Sequence, residues 1–204
     1  MRSLTEQEKF WQGEFGIEYI KRNQNAEILA GKIALFRDVL RNIKISSCLE
    51  LGSNIGLNLS AIRTLIPSVD LSAVEINEKA VQELRKINNL EVFYESILDF
   101  NSDKTWDLAF TAGVLIHINP NMLQKVYEAL YHNSSRYILI AEYYNPIPVE
   151  VEYRGFKEKL FKRDFAGELL DKYSDLKLID YGFAYHRDNL FKYDDVNWFL
   201  MEKK

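Results

Sequence analysis

Strand-like apolar runs alternate with amphipathic helical runs from residue 25 to residue 144. A turn carrying Gly52 and Gly56 joins the first strand to the helix after it, and the chain ends in two strand-like runs with a short loop between them. Together these observations predict an α/β fold. It is a doubly wound, mostly parallel seven-stranded sheet with an antiparallel C-terminal strand pair and helices on both faces. Right-handed crossovers then leave a crevice beyond the carboxyl ends of the strands. At 204 residues the chain fits a single domain.

Each element has its own signal. In NAEILAGKIALFRDVLRNIK (25–44), Ile28, Leu29, Ile33, Phe36, Leu40 and Ile43 form one apolar stripe behind Asn25 as N-cap. SSCLEL is a short buried strand, and IGLNLSAIRTLI is a helix stopped by Pro67. DLSAVEI is the second strand. The helix NEKAVQELRKI follows, capped by Asn77, with Ala80, Val81, Leu84 and Ile87 facing inward. EVFYE and WDLAFTAG are the third and fourth strands. NPNMLQKVYEALY is a helix with Asn119 at the cap and Pro120 at its first position, and RYILIAEYY is the fifth strand. RDFAGELLDKY is a helix capped by Asp164, and LKLIDYGFAY and DVNWFLMEK form the closing pair.

Composition narrows the function. Apolar residues make up 47%, enough to fill a core. No run of about 18 apolar residues occurs, and MRSLTEQEKFWQGEFG lacks the apolar stretch of a secretory signal, so a cytoplasmic location without membrane contact is expected. The single cysteine, Cys48, excludes an internal disulfide and a multi-cysteine metal site; it reads as a small buried hydrophobe, and no metal is expected. A net charge of −4 argues against a nucleic-acid partner. Oligomeric state is left open. The 12 tyrosines exceed what a simple core needs, and some are expected in a pocket.

The stretch LELGSNIGLNLS (49–60) carries the first chemistry. Gly52 permits a tight turn, and Gly56 lets the next helix pack close to the strand. The helix start turns free amides toward the crevice, an arrangement suited to phosphate or carboxylate. Glu75 ends the second strand, 19 residues after Gly56, where an acid accepts hydrogen bonds from both hydroxyls of a ribose. Loop and acid together point to a nucleoside ligand.

The order Glu50-x-Gly52-x-Asn54-x-Gly56, then Glu75, ESILDF and DLAFTAGVLIHI, resembles the class I S-adenosylmethionine-dependent methyltransferases over roughly residues 45–145. The resemblance implies a Rossmann-like fold and S-adenosyl-L-methionine as cofactor, with S-adenosyl-L-homocysteine as product. It places Glu50 near the methionine amino group. Gly52, Ser53, Asn54 and Gly56 then lie along the methionine part and ribose, and Glu75 and Ile76 at the ribose. Ser96 and Ile97 take the adenine, the latter through its backbone amide. That family more often has Asp where Ser96 stands and Gly where Asn54 stands; Asn tolerates left-handed backbone angles. FWQGEFGIEYIKRN, AEYYNPIPVEVEYRG, FKRDFAGELL and DDVNWFLMEK resemble, more narrowly, the methylases associated with pseudaminic acid and related nonulosonic sugar biosynthesis. This implies a small polar acceptor, a nonulosonic-type sugar or its nucleotide-activated form, methylated on oxygen or nitrogen.

On this reading residues 1–25 are an N-terminal lid, 26–145 the cofactor-binding core, and 146–204 an acceptor-side insertion with the closing strands. Thr111, Ala112 and Gly113 line the sulfonium side, and His117, with a free pKa near neutrality, is a candidate base beside Tyr144. Glu142, Tyr143 and Asn145 follow the fifth strand, where such folds keep ligand groups. In EYRGFKEKLFKRDF the cations Arg154, Lys157, Lys159, Lys162 and Arg163 read either as a solvated helix face or as an anion site; Arg154 and Arg163 are the substrate candidates. Tyr19, Arg22 and Asn23 fall on one face of an N-terminal helix, where Arg22 would meet the methionine carboxylate and Tyr19 the ribose or sulfonium region. Two rival readings stand beside the transferase: an NAD-dependent oxidoreductase on the same kind of fold, which Asn54 in place of a middle glycine disfavours, and a catalytically idle S-adenosylmethionine-binding module.

Overall fold

The computed structural model describes residues 2–23 and 26–204. In chain order the elements are α1 (Glu6–Gln12), α2 (Glu14–Arg22), α3 (Ala26–Leu40), β1 (Ser47–Leu51), α4 (Leu57–Leu65), β2 (Asp70–Glu75), α5 (Glu78–Leu84), β3 (Leu90–Tyr94) and β4 (Trp106–Ala112). Two short 3-10 turns, Leu115–His117 and Pro120–Met122, lead into α6 (Leu123–Asn133) and β5 (Ser134–Glu142). The rest is β6 (Val149–Tyr153), β7 (Phe156–Lys162), α7 (Phe165–Lys172), β8 (Leu176–Ala184) and β9 (Val196–Lys203).

Seven strands form one sheet in the order β3-β2-β1-β4-β5-β9-β8, as expected from the alternation. β1 to β5 run parallel, while β9 inserts antiparallel between β5 and β8. Chain order reverses between β1 and β4, which opens the crevice at their carboxyl ends. Both faces of the sheet are covered. Leu49, Leu51, Trp106, Tyr127 and Leu130 pack on one side; Phe36, Cys48, Leu59, Ile62 and Phe110 pack on the other, all fully buried. Among the described residues no helix is long and apolar enough to cross a membrane.

The caps read from sequence have their partners. Asn77 accepts from the amides of Lys79 and Ala80, Asn119 from that of Asn121, and Asp164 from that of Gly167. Asn25 lies outside the described residues. The N-terminal segment is two helices rather than one, broken at Gly13.

Residues 149–162 depart from a charged helix face. They form an antiparallel hairpin, β6–β7, turned by Arg154 (φ 53°) and Gly155 (φ 85°). Two consecutive left-handed residues suit the tight hairpin turn, with glycine at the second position. The hairpin is tied down by Gln7 Nε2, which donates to the Glu158 carbonyl at 2.9 Å, and by the His117 ring, which meets the Lys159 carbonyl at 2.6 Å.

Candidate functional site

A cavity of about 570 Å3 lies over the carboxyl ends of β1, β2 and β4. That volume falls within the range of small-molecule sites. Residues of α1 and α2 roof it, and the β6–β7 turn and residues 192–194 close its far side. The last segment reaches the cavity because α3 carries glycine there: a Cβ on Gly31 would stand 2.3 Å from the Lys192 carbonyl oxygen.

The glycine turn and Glu75 form one unit. Gly52 (φ 81°) and Asn54 (φ 48°) both take left-handed backbone, and a Cβ on Gly52 would press on Val114 at 2.8 Å. Glu75 Oε2 accepts from the Asn54 amide at 2.7 Å, while Oε1 accepts from the amides of Ile76 (2.9 Å) and Asn77 (2.7 Å). Burial pushes the Glu75 carboxyl up, and these three amides oppose that rise. The carboxylate lines the cavity beside Gly52, Ser53, Asn54 and Ile76. Gly56 (φ 78°) starts α4, and its missing Cβ makes room for Leu84 and Ile87 rather than for ligand. Two buried polar atoms among the cavity residues have no hydrogen-bond partner: Asn54 Oδ1 and Trp11 Nε1.

Glu50 does not line the cavity. It is fully buried one layer behind, with Asn58 donating to Oε1 at 2.5 Å and Oε2 unpartnered. Burial lifts its pKa to about 8 against the Asn58 hydrogen bond. The group facing the cavity is Lys32 of α3, whose Nζ donates to Asn58 Oδ1 at 2.7 Å. Thr111 is likewise buried in the sheet, leaving Ala112 and Gly113 at the wall.

Ser96 lines the cavity, but its single proton is committed. It donates to the carboxylate of Glu8 on α1, and Ser96 Oγ accepts from the Leu98 amide and Arg2 Nη2, each at 3.1 Å. The hydroxyl thereby ties the roof to the loop after β3. Arg2 grips the same carboxylate in bidentate fashion and donates to Asp99 at 2.8 Å. Burial alone would raise Glu8; hydrogen bonds from Arg2, Ser96 and Thr5 outweigh it and hold the pKa at about 2. The Ile97 amide makes no hydrogen bond among the described residues, and Ile97 lines the wall.

On the opposite side His117 sits between the rings of Trp11 (4.6 Å between centroids) and Tyr153 (4.8 Å). A carbonyl only accepts, so Nδ1 carries the proton in the 2.6 Å contact with Lys159, and Nε2 keeps a free lone pair. Burial lowers its pKa to about 4, partly offset by that carbonyl, so the ring is neutral near pH 7. Tyr19, Arg22, Asn23, Tyr143 and Arg154 also line the cavity.

Besides Glu50, Gly56 and Thr111, four further expected site residues do not. Glu142 points into the protein and accepts from the amides of Val114 and Leu115, each at 3.0 Å, which anchors the turn bearing His117. Burial raises its pKa to about 7 against those amides. Tyr144, two residues past the end of β5, is 39% exposed and leans on Phe199. Asn145 is half-buried and donates to the Ile147 carbonyl within its turn. Arg163 is paired with Glu168 of α7, outside the cavity.

Trp11, Lys32, Tyr153, Tyr193 and Asp194 are among the cavity residues that escape sequence reasoning. Tyr153 stands at a strand end beside Arg154, and strand alternation pairs it with Val151 on the covered face; that signal is present in the sequence. Lys32, Tyr193 and Asp194 meet only through tertiary packing.

No protein-family model and no characterised protein sequence matches the chain. Solved structures match its fold. A S-adenosylmethionine-dependent methyltransferase from Clostridium acetobutylicum is 13% identical, with a TM-score of 0.64, over 93% of this chain and 97% of that one. The plantazolicin methyltransferase BpumL in complex with SAH is 15% identical, with a TM-score of 0.65, over 97% and 94%. The N-methyltransferase NodS from Bradyrhizobium japonicum is 13% identical, with a TM-score of 0.64, over 89% and 98%. The chain has the fold of these proteins.

Proposed function

We propose that the chain is an enzyme that transfers a methyl group from S-adenosyl-L-methionine to oxygen or nitrogen of a small polar acceptor, a nonulosonic-type sugar or its nucleotide-activated form. The observation that carries the cofactor is the unit of Glu75 with the Gly52–Asn54 turn at the floor of a roofed cavity. The residues fit the group. Glu75 Oε2 keeps a lone pair for a ribose hydroxyl, Asn54 Oδ1 and Trp11 Nε1 are an acceptor and a donor without partners, and the Ile97 amide is free for adenine. Lys32 and Arg22 are cations for the methionine carboxylate. Bound S-adenosylmethionine supplies an electrophilic methyl on sulfonium. This fold also carries the neighbours named above, which are methyltransferases crystallised in one case with SAH.

The chain's own part is placement. Ala112 and Gly113 form the wall by backbone, and His117 Nε2 accepts a proton or hydrogen bond from the acceptor. Glu142 is a positioning residue that fixes the His117 turn. Arg154 has no ion-pair partner among the described residues and sits at the mouth, where its fork suits a carboxylate or phosphate on the acceptor. Residues 2–23 act as a lid locked by Arg2, Glu8 and Ser96.

Calorimetric titration with S-adenosylmethionine, S-adenosylhomocysteine and NAD in parallel tests the reading. Micromolar binding of the first two and none of NAD is expected. Binding of NAD alone overturns it in favour of a dehydrogenase.

A further inference from the structure

Two sets of contacts hold the roof to the core. At its start Arg2 and Glu8 grip the loop after β3, and Gln7 Nε2 donates to the Glu158 carbonyl of the hairpin at 2.9 Å. Further along, among the described residues, the hydrogen bonds that join residues 11–22 to the core all come from one side chain, Asn77. Its Nδ2 donates to the Trp11 carbonyl at 2.9 Å and to that of Gln12 at 3.4 Å. These carbonyls close α1, in the last turn where helical partners run out. α2 packs directly over the contact: a Cβ on Gly16 would stand 1.9 Å from the Trp11 carbonyl oxygen and 2.8 Å from Asn77 Nδ2.

Asn77 is bound to Glu75 as well. Its backbone amide donates to Glu75 Oε1 at 2.7 Å. Its Oδ1 caps α5, accepting from Lys79 at 3.0 Å and Ala80 at 3.2 Å. The cap fixes the side-chain amide, because an oxygen that serves two backbone donors turns the nitrogen toward Trp11. Asn77 is buried, which shields these bonds from solvent. Trp11, whose carbonyl is held, packs its ring on His117 at 4.6 Å and on Tyr19 at 5.2 Å, and all three line the cavity. One buried residue thus joins the Glu75 floor to the aromatic roof.

We infer that Asn77 is a positioning residue through which occupancy of the Glu75 site closes the roof segment 11–22. This rests on the cofactor reading above and adds the route from cofactor to lid. A ribose hydroxyl on Glu75 Oε2 stiffens the carboxylate, and with it the Asn77 amide that donates to Oε1. The Asn77 side chain then holds the α1–α2 corner down, and the docked roof slows escape of the cofactor. Binding and closure favour each other by the same factor, as linkage requires.

Three variants separate the tie from the cap. Asn77→Ser keeps a capping oxygen and loses the amide, whereas Asn77→Ala loses both. Gly16→Ala reaches the same contact from the roof and leaves the cap and Glu75 untouched. Stopped-flow tryptophan fluorescence on the full chain follows S-adenosylhomocysteine binding and release, with Trp11→Phe identifying the Trp11 share. Hydrogen exchange reads the amides of residues 11–22. In the parent, S-adenosylhomocysteine is expected to slow that exchange about tenfold. All three variants should lose most of this protection and release S-adenosylhomocysteine about tenfold faster, the worth of one hydrogen bond, with no fall in association rate. Asn77→Ser should melt above Asn77→Ala although the two release alike. Roof exchange indifferent to S-adenosylhomocysteine in the parent overturns the inference. So does a parental release rate in Asn77→Ser or in Gly16→Ala. A parent that binds no S-adenosylhomocysteine overturns the cofactor reading instead; exchange of residues 11–22 in the free chain, parent against Asn77→Ser, then decides whether Asn77 holds the roof.

Discussion

The Ser96 hydroxyl donates to the Glu8 carboxylate and so ties the loop after β3 to the first helix of the chain. An acid from the N-terminal segment thus stands beside Ser96. Two carboxylates there would repel. Ser96→Asp alone is expected to lower stability, and Glu8→Gln alone to cost about 1–3 kcal/mol through lost charged hydrogen bonds. The double variant is expected to recover most of the loss, because Arg2 then bridges the introduced carboxylate and Asp99. Urea midpoints of the four proteins check this; additive losses would show that the two residues do not share one network.

Asn54 has two separable features, its left-handed backbone and its side-chain oxygen. Its φ of 48° suits Asn or Gly, and its Oδ1 is buried without a partner. Asn54→Gly should keep thermal stability or raise it slightly, whereas Asn54→Ala should cost about 1 kcal/mol of left-handed strain. Both variants lose the oxygen, so both should bind S-adenosylmethionine about tenfold more weakly. Melting curves with calorimetry separate the two effects. An Asn54→Gly protein with unchanged affinity would remove Oδ1 from the site.

The pH profile of the unliganded chain follows from its buried groups. His117 falls from an ordinary 6.5 to about 4. The unfolded chain therefore binds more protons between those values, and stability drops as pH falls through that window. Glu50 and Glu142 rise from 4.5 to about 8 and about 7. There the folded chain binds more protons, so their contribution is full below 4.5 and is lost as pH climbs past 7 to 8. Between 4.5 and 6.5 the two carboxyls outweigh the single imidazole, so these three groups together should put the melting-temperature peak near about pH 4, with a fall on the alkaline side. Glu50→Gln should flatten the alkaline fall and His117→Gln the acid one. A profile unchanged in either variant would reassign that arm to other groups.

What can be read before the fold depends on whether a residue acts through its own segment. Gly52, Asn54 and Glu75 are legible, because a left-handed turn after one strand and an acid at the end of the next are local features. The strand read from RYILIAEYY runs to Tyr144, whereas β5 ends at Glu142; that carboxylate turns back to the Val114 and Leu115 amides, and Tyr144 packs on Phe199. Glu50 looks like a contact but is a support, since Asn58 and Lys32 interpose, and that interposition comes from the packing of α3 on α4. Asp194, Tyr193 and Glu8 come from loops and termini, whose positions are set by distant partners such as Gly31 and Ser96. The hairpin β6–β7 hides in a charge run, where only the Arg154-Gly155 turn marks it.

The two tyrosines just past β5 give the sharpest functional contrast. Tyr143 faces the cavity and Tyr144 leans on Phe199 outside it. Tyr144→Phe should leave turnover and acceptor KM within about twofold of the parent, as surface changes away from special features do. Tyr143→Phe removes a hydroxyl beside Asp194 and should raise acceptor KM by about tenfold, the worth of one hydrogen bond. His117→Ala removes the only free imidazole lone pair among the described cavity residues, and kcat should fall about 10²-fold or more. S-adenosylhomocysteine affinity should change little, because His117 lies on the acceptor side. Steady-state kinetics on one acceptor, with calorimetry as the control for folding, measures all three. If Tyr144→Phe proves as damaging as His117→Ala, the catalytic surface lies on the other side of β5.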